Sequence, residues 1–212
     1  MNNQLASQTN NQTVEHIDKK AKQQGYDKGN SKKIMLNPEN RNKNTKFICV
    51  RYGNVVGSRG SVIPYFKQRI TNGESLPVCS FQMTKFLLTL DQAIKLVFKA
   101  TVEGKTGHLF VKKMPACLIL DLAKVMSYTI TKQEDYPIKE VGIRPGEKIH
   151  EVLVSEEELR RAIETSDHYI IYQHGKLEEP KLLRDITEYS SNNTTMLTQE
   201  EIFSLLKTQG WV

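Results

Sequence analysis

The sequence contains few cysteines and no long apolar run. Cys49, Cys79 and Cys117 are scattered and form no C-x-x-C pair, which predicts small apolar side chains in a reducing compartment and argues against a disulfide framework or a metal site. No apolar run approaches the roughly 20 residues that cross a bilayer. No basic-then-apolar signal pattern follows Met1. We therefore expect a cytoplasmic chain with no membrane partner and no bound metal.

Basic charge is concentrated at one end of the chain. Residues 1–46 hold nine of the 30 Lys and Arg residues but only four of the 24 Asp and Glu residues, which leaves 21 against 20 in the remaining 166 residues. A folded nucleic-acid-binding protein carries a basic face with interleaved aromatic side chains. The balanced part of this chain has no such pattern, so we expect no nucleic-acid partner.

The basic end also lacks a core-forming pattern. Residues 1–45 are rich in Asn, Gln and Lys and poor in aromatic residues. Such a composition buries too little apolar surface to offset the entropy lost on ordering. We predict a disordered leader over residues 1–45 and a folded unit over residues 46–212.

Short apolar runs alternate with amphipathic segments in the folded unit. Strands are predicted at residues 47–52, 86–90, 108–111, 140–143 and 168–172. Helices are predicted at residues 63–70, 91–102 and 118–128. This alternation indicates an α/β architecture.

Local patterns predict two further helix starts and the buried face of one helix. Two capping boxes, Ser155 with Glu158 and Thr198 with Glu201, each predict a helix start. The helix at residues 91–102 is expected to carry one apolar face, formed by Ala93, Ile94, Val97, Phe98 and Thr101.

A glycine- and serine-rich loop follows the first predicted strand. Gly53, Gly57 and Gly60 allow a ligand to approach the backbone closely, and the loop leads into a helix whose first N–H groups suit an anion. Ser61 and Arg59 add hydrogen-bonding and charged groups. A purely structural turn is the alternative interpretation of the same residues.

A second polar segment follows the strand predicted at residues 140–143. Arg144 precedes Pro145 and Gly146, so its planar guanidinium is expected at a strand end, where it suits a diphosphate. Glu147 is positioned to orient that arginine or to accept from a nucleoside. The alternative is an Arg–Glu pair on a surface turn.

Five runs together, in this order, resemble one enzyme family. They are RYGNVVGSRGSVIP (51–64), MTKF (83–86), FVKKMP (110–115), IRPGEKIHEV (143–152) and EYSSNN (188–193). These runs look like the carboxyl-terminal half of the UDP-N-acetylglucosamine 4,6-dehydratases and their capsular polysaccharide biosynthesis relatives. That family belongs to the extended short-chain dehydrogenases/reductases.

The resemblance implies a fold, an activity and a set of contacts. The fold would be the carboxyl-terminal part of a Rossmann-type domain with a small α/β substrate domain. The activity would be modification of a UDP-sugar by a dehydratase or epimerase that uses NADP or NAD. Asn54 would meet the cofactor, Arg144 would clamp the diphosphate and Glu147 would lie near the nucleoside. Further substrate contacts implied are Arg59, Gly60, Ser61 and Val62.

Departures from the family pattern concern the catalytic machinery. The chain has no G-x-x-G-x-x-G loop, and no Tyr-x-x-x-Lys pair precedes the first predicted strand, where the family carries it; Lys32 only faintly matches the lysine of that pair, and Lys28 stands where the tyrosine belongs. Ser80-Phe81, Lys85 and Asn193 replace the residues usual in the later motifs. We therefore expect no catalytic residue and no NADP binding by this chain alone.

Two interpretations of function remain open. The first is a truncated or split enzyme piece that is inactive alone and whose partner is an amino-terminal Rossmann half or a second copy. The alternative is a non-catalytic module that binds a UDP-sugar or regulates another protein.

Overall fold

Helices and strands alternate along the described chain, which confirms the predicted α/β class. The computed structural model describes residues 45–172 and 187–212. All of the predicted leader except Thr45 lies outside the described residues, as does Lys32. The boundary between leader and folded unit therefore stays a prediction.

The described elements are short, and most strands have two to four residues. In chain order they are β1 (Cys49–Arg51), β2 (Asn54–Val55), α1 (Val62–Thr71), β3 (Leu76–Val78), β4 (Thr84–Leu88), α2 (Leu90–Glu103), β5 (Leu109–Lys112), β6 (Ala116–Leu118), α3 (Ile119–Thr131), β7 (Ile138–Glu140), β8 (Val152–Val154), α4 (Glu156–Leu159), β9 (Ala162–Glu164), β10 (His168–Ile171), β11 (Tyr189–Ser190) and α5 (Gln199–Thr208).

Two sheets of three or more strands carry the fold. The larger has the order β1-β5-β10-β9, in which β1 and β5 are parallel and the other neighbours are antiparallel. In the smaller, β4 lies between β2, which is parallel to it, and β6, which is antiparallel. Between the parallel strands β1 and β5 the chain passes through β2, α1, β3, β4 and α2, a long crossover of the kind that parallel strands need.

Helix α2 packs on the larger sheet through a face that the sequence did not predict. Leu96 and Ala100 bury against Phe110, and Ala93 is also buried. Ile94 and Val97 are each 44% exposed and Phe98 is 67% exposed, so the predicted apolar face is wrong except at Ala93.

The other main core joins helices α1, α3 and α5 to buried side chains of strands β3, β4 and β6. The buried helix side chains include Phe66, Leu122, Met126 and Leu206. Both predicted capping boxes are present, at the starts of α4 and α5. A third box, in which Thr89 pairs with Gln92, starts α2.

The parallel pair β3–β7 brings two distant segments to one edge. Leu76 pairs with Ile138 and Val78 with Glu140, and the Val141 amide donates to the Val78 carbonyl at 2.9 Å. The residues that follow the two strands therefore emerge side by side. In α/β folds, ligands bind outside the carboxyl ends of parallel strands.

An ion pair ties the larger sheet to helix α4. The Arg51 guanidinium donates to both carboxylate oxygens of Glu158, at 2.7 and 3.0 Å, and also to the Leu153 carbonyl. Glu158 is only 8% exposed and also accepts from the Ser155 amide in the capping box. This carboxylate thus serves the helix cap and the junction between sheet and helix together.

We predict that Arg51→Ala lowers the free energy of unfolding by about 2–3 kcal/mol. The substitution takes the bidentate partner from a mostly buried carboxylate, which is costly when the charge stays behind. Urea unfolding followed by circular dichroism measures the change. The matched control is Arg160→Ala, because Arg160 pairs with Glu156 on an exposed helix surface, where such pairs contribute about 0–1 kcal/mol. Equal losses in the two variants would contradict the assigned role of Arg51.

Candidate functional site

The amino-terminal end of helix α1 opens into a cavity. Gly60 adopts a φ of +76°, a left-handed conformation that favours glycine, and it turns the chain into the helix. Ser61 is the N-cap, but its side chain caps nothing: Oγ is buried and has no hydrogen-bond partner among the described residues. The hydroxyl and the first-turn N–H groups are therefore available to an anion.

The segment that carries Arg144 faces this helix end from the other side. Strand β7 ends at Glu140, whereas a strand over residues 140–143 was expected, so Arg144 lies in an exposed loop beyond the strand and not at its end. Gly142 causes the difference, because its φ of +85° breaks extended backbone. The loop turns back at residues 144–147, where the Glu147 amide donates to the Arg144 carbonyl at 3.0 Å.

Glu147 is held by two groups within the site. Its carboxylate accepts from the Arg144 backbone amide at 3.3 Å and from the Cys79 thiol. The thiol hydrogen bond is the main reason that the pKa of Glu147 lies below its ordinary value, with the Arg144 amide contributing further. The pKa of Cys79 is raised by the same bond and next by burial. At neutral pH the site therefore holds an ionised carboxylate beside a protonated thiol.

A cavity of about 570 Å³ joins these groups, a volume within the usual range for small-molecule sites. Its walls come from α1, β3, β4, the start of α3 and the 144–147 turn. The polar side chains that line it are Asn54, Ser61, Tyr65, Gln68, Cys79, Lys85, Arg144 and Glu147. Two cationic groups and one carboxylate give the polar lining a net positive charge, which favours an anionic ligand.

The predicted contacts occupy this cavity with one exception. Asn54, Gly60, Ser61, Val62, Arg144 and Glu147 all line it. Arg59 is exposed on the loop just before Gly60 and is not among the lining residues, so its contact with a substrate stays a prediction.

Sequence reasoning missed two contributors to the cavity wall. Cys79 was predicted only as a small apolar side chain, yet it follows β3 and meets Glu147. Lys85 was noted only as a departure from the family pattern, yet its Nζ lies 3.3 Å from Glu151 and donates to the Lys148 carbonyl at 3.3 Å. The short β3–β7 pair that aligns these segments gave no recognisable sequence signal.

Asn54 borders a second, smaller cavity as well. That cavity, of about 240 Å³, lies between residues 52–54 and residues 148–153. Within residues 45–172 and 187–212, no group of three or more His, Cys, Asp or Glu side chains is placed to hold a metal ion. In the same ranges, none of the helices has the length and apolarity to traverse a bilayer.

Comparison with known proteins connects this site to one family. The family described as "Polysaccharide biosynthesis protein" matches residues 18–173. The match begins within the predicted leader and continues through the 144–147 turn. Because it covers well over half of the chain, it is sufficient to assign the family.

Individual relatives agree with this match. A UDP-glucose 4-epimerase from Rickettsia canadensis is 38% identical over 181 residues, which are 81% of this chain and 52% of the relative. An inverting UDP-N-acetylglucosamine 4,6-dehydratase from Campylobacter jejuni is 33% identical over 186 residues, which are 80% of this chain and 54% of the relative. The chain thus spans about half the length of the curated relatives it matches.

A solved structure supports the same assignment. Pen from Bacillus thuringiensis superposes with a TM-score of 0.77 at 32% identity, over 87% of this chain and 57% of that protein. The two relatives described above are named as a UDP-sugar epimerase and a UDP-sugar dehydratase, and the resemblance predicted from the five sequence runs is confirmed. The chain belongs to the polysaccharide biosynthesis protein family.

Proposed function

We propose that this chain supplies the UDP-sugar-binding half of a nucleotide-sugar dehydratase or epimerase. The observation that carries the proposal is the convergence of three groups on one cavity: Arg144, Lys85 and the amino-terminal end of helix α1. The sequence neighbours, a UDP-glucose 4-epimerase and a UDP-N-acetylglucosamine 4,6-dehydratase, supply the ligand class.

The diphosphate is the ligand group that suits the cationic part of the cavity. Arg144 offers a planar pair of donors for two phosphate oxygens, and Lys85 adds a second cation. The Ser61 hydroxyl and the helix N-terminus supply neutral donors. The ionised Glu147 would repel a phosphate, so the nucleoside, whose hydroxyl and N–H groups donate, is assigned to its end of the cavity.

The dinucleotide cofactor does not fit the described residues on their own. Asn54 borders both cavities and was the one residue predicted to contact NADP or NAD. The sequence has no glycine-rich dinucleotide loop. We therefore assign no reaction step to the cofactor within this chain; its binding belongs to a complete assembly.

Cofactor binding and proton transfer would have to come from a partner, and the edge of strand β1 is a candidate site for that partner. Among the described strands, β1 is paired through one edge only, with β5. Its side chains pack on both faces of the sheet, since Val50 contacts the α2 core, as does Ile48 just before the strand, and Cys49 contacts the opposite core. Parallel strands buried on both faces are normally interior strands. We propose that an amino-terminal Rossmann half covers this edge, with a second copy of the chain as the other candidate.

A non-catalytic UDP-sugar-binding or regulatory module is the second candidate function. This candidate is favoured because the tyrosine and the lysine among the described lining residues, Tyr65 and Lys85, do not have the Tyr-x-x-x-Lys spacing of the family's proton-transfer pair. A protein that binds this chain and restores turnover would favour the enzyme half over the module. A cytoplasmic location, expected from the cysteine pattern, is part of both proposals.

We predict that UDP binding depends on the guanidinium of Arg144. A charge-assisted hydrogen bond contributes about 1.5–3 kcal/mol, so Arg144→Ala should weaken UDP binding by about 10- to 150-fold in calorimetric titration. Arg144→Lys should recover part of the affinity, because it keeps the charge but loses the planar fork. Arg160→Ala, at an exposed position outside the cavity, is the matched control and should bind like wild type. Wild-type affinity in Arg144→Ala would refute the clamp.

We also predict that the chain alone binds UDP-N-acetylglucosamine without converting it. Incubation of the purified chain with this sugar nucleotide and NADP should give no 4-keto-6-deoxy product by mass spectrometry. The reason is that hydride acceptance needs a dinucleotide loop and proton transfer needs the Tyr-x-x-x-Lys pair that the family carries before the first predicted strand, and this sequence has neither there. The C. jejuni dehydratase serves as the positive control. Product formation by this chain at a rate proportional to its concentration would contradict the proposal.

A further inference from the structure

A buried network of hydroxyl groups lies behind the cavity, outside its lining. Ser191 is fully buried and Thr84 is 4% exposed, and their side-chain oxygens are 2.7 Å apart. The Ser191 hydroxyl accepts from the Glu151 amide at 2.8 Å and donates to the Thr84 carbonyl at 3.1 Å. The Thr84 hydroxyl also lies 2.8 Å from Nδ1 of His150. The network therefore joins strand β4, residues 150–151 and the segment after β11.

The proton count in this network has one consistent solution. Each hydroxyl has a single proton to donate, and that of Ser191 goes to the Thr84 carbonyl. The Thr84 hydroxyl must then donate to Ser191. His150 is left to donate from Nδ1 to Thr84, which makes the Nδ1-protonated ring the tautomer that satisfies every member.

The network anchors the segment that bears the two proposed nucleotide contacts. Residues 141–146 are exposed, and the body of the protein holds this stretch at its two ends. At the amino-terminal end, β7 pairs with β3. At the carboxyl-terminal end, the Thr84 amide donates to the Ile149 carbonyl at 3.0 Å and the Ser191 amide donates to the Glu151 carbonyl at 2.8 Å.

The motif at residues 188–193 holds Ser191 in place. The Ser190 amide donates to Oδ1 of Asn193 at 2.9 Å, and the Asn193 side-chain amide donates in turn to the Glu188 carbonyl at 2.5 Å. The Tyr189 hydroxyl is fixed between the amide and the carbonyl of Met114, at 2.8 and 2.9 Å. This local bonding fixes the direction of the Ser191 side chain without contact with the cavity.

We propose that Ser191 is a positioning residue. It acts through Thr84 and His150 to fix the position of the 142–151 segment relative to helix α1, which lies across the cavity. The inference rests on the proposed function, because it assumes that Arg144 and Glu147 contact the nucleotide. Without the network, the His150 ring and the Glu151 amide lose hydrogen-bond partners on the body of the protein, and Arg144 and Glu147 no longer hold a single position relative to helix α1.

The test compares Ser191→Ala with a buried serine elsewhere. Ser191→Ala and the nearly isosteric Thr84→Val should each weaken UDP binding to the full chain by about 10-fold, the effect of losing one or two buried hydrogen bonds. The control is Ser127→Ala, because Ser127 is 2% exposed and bonds only within α3, to the Lys124 carbonyl. That variant should keep wild-type affinity even where it unfolds more easily. Titrations are made at a temperature where circular dichroism shows every variant fully folded.

A second readout separates positioning from general destabilisation. In ¹⁵N NMR spectra, His150 of the wild type should show protonated Nδ1. In Ser191→Ala the Thr84 hydroxyl loses its acceptor and turns toward His150, which should move the proton to Nε2. Should Ser191→Ala fail to fold, Thr84→Val carries the affinity test.

Each outcome has a distinct meaning. Weakened binding in both variants together with the tautomer change supports the positioning role. Unchanged affinity in Ser191→Ala, with Arg144→Ala still impaired, overturns the positioning role and leaves the proposed function intact. A wild type that does not bind UDP overturns both.

Discussion

The parallel pairing of β3 with β7 is the constraint on which the candidate site depends. These strands have three residues each and are separated by about 60 residues of chain. Their register places Cys79 beside the start of the segment that carries Arg144 and Glu147. The Cys79–Glu147 hydrogen bond and the charge balance of the cavity follow from this alignment. A shift of one residue would turn alternate side chains to the opposite face.

The elements predicted well from the sequence are those whose signals are local. Helices α1, α2 and α3 were predicted to within a few residues, and both capping boxes start helices, because periodicity and caps act over a few adjacent positions. Strands β2, β3, β6, β8, β9 and β11 were not predicted. With two or three residues each, they are too short for an alternating pattern, and their pairing is decided by distant partners.

The errors concern tertiary packing more than local structure. The apolar face predicted for α2 included Ile94 and Phe98, but the buried face of the helix is the one formed by Ala93, Leu96 and Ala100. The hydrophobic period identified a helix correctly but not the side that faces the sheet. Arg144 was likewise predicted at a strand end, because residues 140–143 were interpreted as a strand. The structure ends the strand at Glu140, and Gly142 adopts a positive φ that the sequence alone does not reveal.

The candidate site could be predicted in its polar residues but not in its supports. Glycine, serine and arginine in ordered motifs indicated a phosphate-binding function, and six of the seven predicted cofactor and substrate contacts meet at one cavity. The Cys79–Glu147 contact and the buried Thr84–Ser191 network join side chains that are far apart in the sequence. A sequence pattern offers no signal for such contacts, because each residue alone is an ordinary core or turn residue.

The most direct test of the account is to map UDP onto the chain by NMR. In ¹H–¹⁵N spectra of the labelled protein, added UDP should perturb the amides of Gly60, Ser61 and Val62, of Cys79 and Lys85, and of Arg144 and Glu147, while amides of α2 and α5 stay unchanged. Such a pattern would locate the nucleotide in the 570 Å³ cavity. Saturable perturbations confined to α2, α5 or the sheet edge at β1 would contradict the central claim, as would a spectrum that UDP leaves unchanged at millimolar concentration.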